Sequence, residues 1–182
     1  MANGVWTNNW QSLINTMLMT ATYPGMSTLV NTSGNTITKK NNYTGRSPMS
    51  VYQNGPIAAY QTHIEVGTSS TTPAASDYYL GQAPSDLSYL SCLNAEFNED
   101  LANGTLTRVV KQTVQYQGQT SITLREWGIF VWVFSSGYGY APTSNGANIM
   151  IYHELFDSPV TLLPYQSATI ELTLVLTLSN PV

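Results

Sequence analysis

Hydrophobic and polar positions alternate most clearly in the last third of the chain. Ile170, Leu172, Leu174, Leu176 and Leu178 point one way, and Glu171, Thr173, Val175 and Thr177 the other. That period of two marks a half-buried β-strand. Burying those aliphatic side chains contributes about 8–15 kcal/mol before the entropy of ordering the chain is subtracted. The segment is therefore expected to lie on a core. Between Ile129 and Phe134 both faces are apolar, with Ile129, Val131 and Val133 on one and Phe130, Trp132 and Phe134 on the other. Both faces of that strand need cover.

Further strands are expected at about 60–66, 104–117, 119–134, 147–155 and 166–178, separated by turn-like stretches at 67–76, 117–118, 135–146 and 157–164. Tyr116-Gln-Gly-Gln119 reads as a hairpin turn joining the strands on either side. Consecutive strands with short polar connections predict an all-β fold, an antiparallel two-sheet β-sandwich of jelly-roll or Ig-like kind. A helical period appears at one place, where Trp10, Leu13, Ile14, Met17 and Leu18 recur at i, i+3, i+4, i+7 and i+8. Thr7 to Asn9 supply N-cap candidates, and Tyr23-Pro24-Gly25 would end the helix. Residues 31–56 read as hairpins and long loops. The organisation expected is an N-terminal helix and loop-rich arm over 1–58, followed by a sandwich domain over 59–182.

Composition narrows the function. Charged residues make up 9% of the 182, against about 25% in ordinary globular chains. Solubility rests instead on Thr, Ser, Asn and Gln, a surface suited to packing against other subunits. The net charge is −4 and the six basic residues are scattered apart from Lys39-Lys40, so no stripe tracks a phosphate backbone and no nucleic-acid partner is expected. Cys92 is the only cysteine, which excludes an internal disulfide and reads as a small buried residue. The N-terminus has no basic leader, and Asn15 and Thr16 interrupt the apolar patch from Leu13 to Met19. Neither a cleaved signal nor a membrane span is expected.

Candidate chemistry is sparse. His63 and His153 are the only histidines, and no spacing of His, Cys, Asp or Glu matches a metal site. No Gly-x-Ser-x-Gly elbow is present. Glu96, Glu99 and Asp100 cluster as a glycosidase pair would, but they precede Asn103-Gly104 in what reads as a solvated loop. No catalytic residue, metal or cofactor is expected, and the chain is not read as an enzyme. Tyr138 and Tyr140 in Gly137-Tyr-Gly-Tyr-Ala-Pro142 form a candidate recognition loop, since tyrosine offers a flat amphipathic face at small entropic cost. Glu126 is an isolated acid within a mostly apolar strand. If buried it needs a partner or backbone donors, and Arg108 across the expected hairpin is the charged candidate for a bracket that fixes register.

Three spaced segments carry a resemblance. They are Ile64-Glu-Val-Gly67 with the Thr/Pro/Ala loop closing on Asp77-Tyr-Tyr-Leu80, then Ile122-Thr-Leu-Arg-Glu126-Trp-Gly128-Ile-Phe130, and then His153-Glu-Leu-Phe156 through Pro164 into Ala168-Thr-Ile-Glu-Leu-Thr173. In order and spacing this resembles small structural proteins of tailed bacteriophages, of the tail-fibre, baseplate and head-decoration kind, over about residues 60–178. The resemblance implies a non-enzymatic, oligomeric assembly component of the virion, put together in the host cytoplasm. Its pattern has Arg where this chain has His153, so a salt bridge from that position to Glu126 is not expected to carry over at neutral pH. Residues 1–58 lie outside the match and are expected to anchor this copy to its neighbours.

Two functional readings follow. In the first, Trp6, Trp10, Leu13, Met17 and Met19 dock on other virion proteins or on further copies of this chain. A chain shortened by residues 1–25 is then expected to fold yet fail to assemble. In the second, the domain is a carbohydrate-binding module or adhesin tip that meets a host-surface glycan through Tyr138 and Tyr140.

Overall fold

A computed structural model describes residues 4–18, 26–40, 63–100, 105–134 and 146–177. The described elements are β1 (Val5–Trp6), α1 (Asn8–Leu18), β2 (Met26–Val30), β3 (Thr36–Lys40), β4 (His63–Gly67), β5 (Leu87–Asp100), β6 (Thr105–Tyr116), β7 (Ile122–Phe134), β8 (Gly146–Leu162) and β9 (Ser167–Thr177). The fold is all-β with one short helix. The pairs β1–β8, β2–β3, β4–β7, β5–β6 and β6–β9 are all antiparallel. Three sheets result, in the orders β1-β8-β7-β4, β2-β3 and β5-β6-β9.

The described residues divide into two compact units, one made of 4–40, 63–85 and 122–161, the other of 86–121 and 162–177. The boundary expected near residue 58 lies outside the described residues. The arm is not separate: β1, α1 and the β2–β3 hairpin belong to the unit that holds β4, β7 and most of β8.

In the first unit β7 is the inner strand between β8 and β4, and it is buried on both faces as its double apolar pattern demands. Leu124, Trp127, Ile129, Phe130 and Val131 are all buried. Phe130 joins Leu80 and Met150 in a core cluster flanked by Tyr79. Burial of the N-terminal segment follows from its hydrogen bonds as much as from its apolar positions. Leu13 is 1% exposed. The Asn9 side chain donates to Val30 O at 2.8 Å and Met150 O at 3.1 Å, and accepts from Val30 N at 2.7 Å. Thr7 Oγ1 donates to Met150 O at 2.8 Å. These groups satisfy backbone on β2 and β8 that would otherwise be orphaned. Removing residues 1–25 would open that core and strip those buried partners, which weighs against the expectation that the shortened chain stays folded.

In the second unit β9 keeps the alternation read from sequence. Thr169, Glu171, Thr173 and Val175 are exposed while Ile170 and Leu172 are half-buried; Leu178 lies outside the described residues. Pairing runs from Thr105↔Thr177 to Gln115↔Ser167 without a break. Across β6 lies β5, a strand of 14 residues where the sequence reading placed a loop around Glu96, Glu99 and Asp100. Register shifts at Tyr89/Ser91 and Asn94/Glu96 explain the difference. Each shift breaks the one-to-one pairing with β6, so no single period of two spans the strand.

The 116–119 segment is also corrected. It does not close a hairpin, because β6 pairs with β5 and β9 while β7 lies in the sheet of β8 and β4. Gln117 N instead donates to Asp86 O at 2.8 Å.

Candidate functional site

The site is a knot of three ionisable side chains centred on Glu126, with Glu126 and His153 buried and Asp77 partly exposed. In β7 this residue stands opposite Gly67 of β4, and it is 0% exposed. A carboxylate taken out of water needs its lone pairs filled. Oε1 accepts from Gln82 N at 2.9 Å and Ser69 N at 3.2 Å. Oε2 accepts from Gly81 N at 3.0 Å and His153 Nε2 at 2.9 Å. Every donor is supplied by a segment distant in sequence. Gly67 permits the approach, because a Cβ there would overlap Glu126 Oε1 and stand 2.8 Å from Gln82 O.

His153, on β8, is 2% exposed. Its Nδ1 donates to Asp77 Oδ2 at 2.7 Å while Nε2 serves Glu126. A neutral imidazole has one N–H, so it satisfies one of these carboxylates and turns a lone pair on the other. Both bonds together require the imidazolium. Burial by itself would push His153 down, but the hydrogen bonds and charges of Glu126 and Asp77 outweigh it and hold the imidazolium above the ordinary histidine value. Burial would likewise raise Glu126. There the hydrogen bond from His153 and those from the Gln82, Gly81 and Ser69 amides win, and the carboxyl sits below its usual range. Asp77 completes the chain by accepting from Ala74 N at 2.8 Å, which closes a turn with Asp77 N donating to Ala74 O at 3.0 Å.

The expected bracket is thus present in kind and different in partner. Glu126 is buried and needs partners, but Arg108 lies on β6, whose register partners are Phe97 and Leu174. Among the described residues no strand pairing brings Arg108 across from β7, and its side chain lies outside what is described. His153, at which no salt bridge to Glu126 was expected at neutral pH, stands 2.9 Å from that carboxylate. What sequence reasoning missed is Asp77 and the three amides. Asp77 was quoted only as the close of a loop, and no local signal marks which backbone amides a distant carboxylate will collect.

A second feature of the same unit is a row of aromatic rings. Trp6 stacks on Trp10 with centroids 4.7 Å apart and meets Tyr152 edge-on at 5.0 Å, and Tyr152 lies 5.3 Å from Trp127. Tyr152 OH donates to Glu154 Oε2 at 2.7 Å, and its ionisation is pushed up by burial and by that carboxylate. Trp6 is 45% exposed at the end of the row. Of the expected docking set, Trp6 and Trp10 share this surface. Leu13 is corrected to a core residue, because a side chain already buried has no area left to give a neighbour. Met17 lies on α1 with its side chain outside what is described. Met19 lies outside the described residues, as do Tyr138 and Tyr140.

The other histidine belongs to a separate cluster. His63 Nε2 lies 2.8 Å from Glu65 Oε1, and Asn148 Nδ2 donates to Glu65 Oε1 at 3.3 Å. The Tyr79 hydroxyl is pushed up to about 12 by burial and by Glu65, with which it hydrogen-bonds. Among the described residues no group of three or more His, Cys, Asp or Glu is placed to hold a metal ion, and no helix is long and apolar enough to cross a membrane. No model of a known family, no curated protein and no solved structure matches this chain.

Proposed function

We propose that this chain is a structural component of a tailed-bacteriophage particle, acting by subunit contact in the tail, baseplate, fibre or head decoration, and that it is not an enzyme. One observation carries the reading. Parts of the three segments that bear the phage resemblance, residues 64–80, 122–130 and the start of 153–173, meet at Glu126 through Ser69 and His153, with Asp77 bonded to His153 and with Gly81 and Gln82 following directly on the first segment. That convergence supports treating them as parts of one structural device. The finer form of the fold, a jelly-roll or Ig-like two-sheet β-sandwich, belongs to the same proposal.

A role by contact is also supported by how the buried acid and imidazole are used. Glu126 is fully buried, and both nitrogens of His153 are engaged. Neither faces a surface where a substrate could meet it, whereas a general base needs hydrogen-bond reach to its proton. The surface offered to neighbours is the Trp6–Trp10 end of the aromatic row, since buried tryptophans dominate interface energetics. The partners proposed are other virion proteins and further copies of this chain, in the virion.

The test replaces Trp6 with Ser in the full chain, leaving the buried anchors Thr7, Asn9 and Leu13 intact. The variant is expected to fold with normal circular dichroism and to be lost from assembled particles, read by the stoichiometry of purified particles and by imaging of its copies. Incorporation at the wild-type level would remove Trp6 from the contact. Failure to find the wild-type chain in any particle would remove the virion reading itself.

A further inference from the structure

The connection from β4 to β5 runs over residues 68–86, and the knot holds it at three places. Near its ends, Ser69 N donates to Glu126 Oε1 and Gly81 N to Glu126 Oε2, at 3.2 and 3.0 Å. Between them, Asp77 reaches His153 Nδ1 at 2.7 Å. The span 70–78 is therefore a strap pinned at both ends on one buried carboxylate and hooked in the middle on one buried imidazole. It also reaches the arm, because Ala75 O accepts from Asn8 N, the first residue of α1, at 2.7 Å.

We propose that His153 is the hook of a releasable strap: when the imidazolium loses its proton, residues 70–78 detach and the first turn of α1 loosens, while the β7–β8 sheet stays folded.

The asymmetry of the knot decides which bond gives way. Glu126 is 0% exposed and holds three backbone amides besides His153. Leaving it without the imidazole donor would cost more than releasing Asp77, whose side chain is 28% exposed and can be met by water. The one N–H left on a neutral ring therefore stays with Glu126. Asp77 then faces a nitrogen lone pair, and the 74–77 turn swings away with the carbonyl that Asn8 uses. The charged groups facing His153 are Glu126 from β7 and Asp77 from the strap. β1, which sets Val5 opposite His153, and the described part of α1 contribute no titratable group. On β8 itself the neighbouring Tyr152 and Glu154 bond each other. Because the two carboxylates raise His153 above the ordinary histidine value, the strap is closed below 6.5 and opens as pH rises through the raised value.

The strap is read from the geometry of the knot and its pH range from His153; its use in assembly rests on the contact surface proposed above, which moves with the first turn of α1. Amide hydrogen exchange of the full chain, followed over a pH series and corrected for intrinsic rates, tests it. The amides of Asn8 and of residues 70–78 are expected to exchange about tenfold faster or more once His153 is neutral, the effect of losing a hydrogen bond to a charged group. The β7–β8 amides should keep their protection over the same range. His153→Arg keeps a fixed cation and should hold the strap closed beyond the pH at which the wild type opens. Asp77→Ala leaves the Glu126–His153 pair in place and should show the fast exchange already below 6.5, where the wild-type strap is closed, which decides the matter if the arginine variant fails to fold. Loss of protection in the strap and in β7–β8 at one common pH would overturn the proposal. So would an Asp77→Ala strap that exchanges like the wild type. These outcomes are independent of particle incorporation, so a failed strap and a failed virion reading are told apart.

Discussion

The two histidines sit on the same four-stranded sheet and each meets a glutamate, His153 with Glu126 at 2.9 Å and His63 with Glu65 at 2.8 Å, yet they do different work. Around Glu126 every nearby polar group has a complementary partner, with two donors on each oxygen. Around Glu65 the set is incomplete: the His63 and Glu65 side chains are 11% and 14% exposed, and Asn148 Oδ1 is buried with no partner. A buried ion pair holds a fold only when its remaining lone pairs and protons are also met, since desolvation otherwise cancels the attraction. The first pair is therefore a clamp. The second is a cluster with one orphaned buried oxygen, that of Asn148.

The sharpest way to break this contrast is Glu126→Gln. An amide in that place turns an NH2 towards backbone N–H donors and leaves the His153 charge without its buried counterpart, so a loss of about 3–5 kcal/mol is expected in denaturant unfolding. An unchanged midpoint would end the clamp interpretation. Gly67→Ala should come next, costing about 1–3 kcal/mol, because the new methyl overlaps Glu126 Oε1 and the backbone oxygen of Gln82 gives it no room. Thermal melts of that variant alone and combined with Glu126→Gln should be non-additive, since both act on one contact.

The pH dependence sharpens the comparison further. Glu126 has a folded value below 4.5, so its contribution is present above 4.5 and is lost as pH falls through the lowered value. His153 has a folded value above 6.5, so its contribution is complete below 6.5 and is lost as pH rises through the raised value. The clamp is therefore strongest from 4.5 to 6.5. Stability measured by urea unfolding should plateau there and decline on both sides, and the alkaline decline should vanish in His153→Arg. A smaller effect is expected at the other histidine: His63→Gln should cost about 0.5–1.5 kcal/mol, the value of an ordinary net hydrogen bond. Least of all, Lys111→Ala should change stability by about 0–1 kcal/mol, because its 2.9 Å pair with Glu171 is 38% and 53% exposed and screened by water.

Much of the strand content was legible because it depends on local alternation. β9 and β7 follow from single-residue periodicity, one with a wet face and one with none, and α1 follows from its 3.6-residue spacing. β5 was not legible, since its two register shifts erase the period that would have revealed it. Partner choice was not legible either. A carboxylate among apolar neighbours announces that it must be satisfied, and Glu126 did so, but the hairpin assumed between β6 and β7 pointed to Arg108 when the two strands join different sheets.

By itself, then, the order of residues determined the all-β class, the place of the helix, the demand for cover on both faces of β7 and the need of Glu126 for company. Only the tertiary structure decided that the company is His153, Asp77 and three amides of the 68–86 connection, that Leu13 belongs to a core and that Trp6 faces outward. The reason is physical. Alternation and capping act between neighbours a few residues apart, whereas filling the lone pairs of a buried acid depends on which distant backbone the sheet topology carries to within 3.2 Å of it.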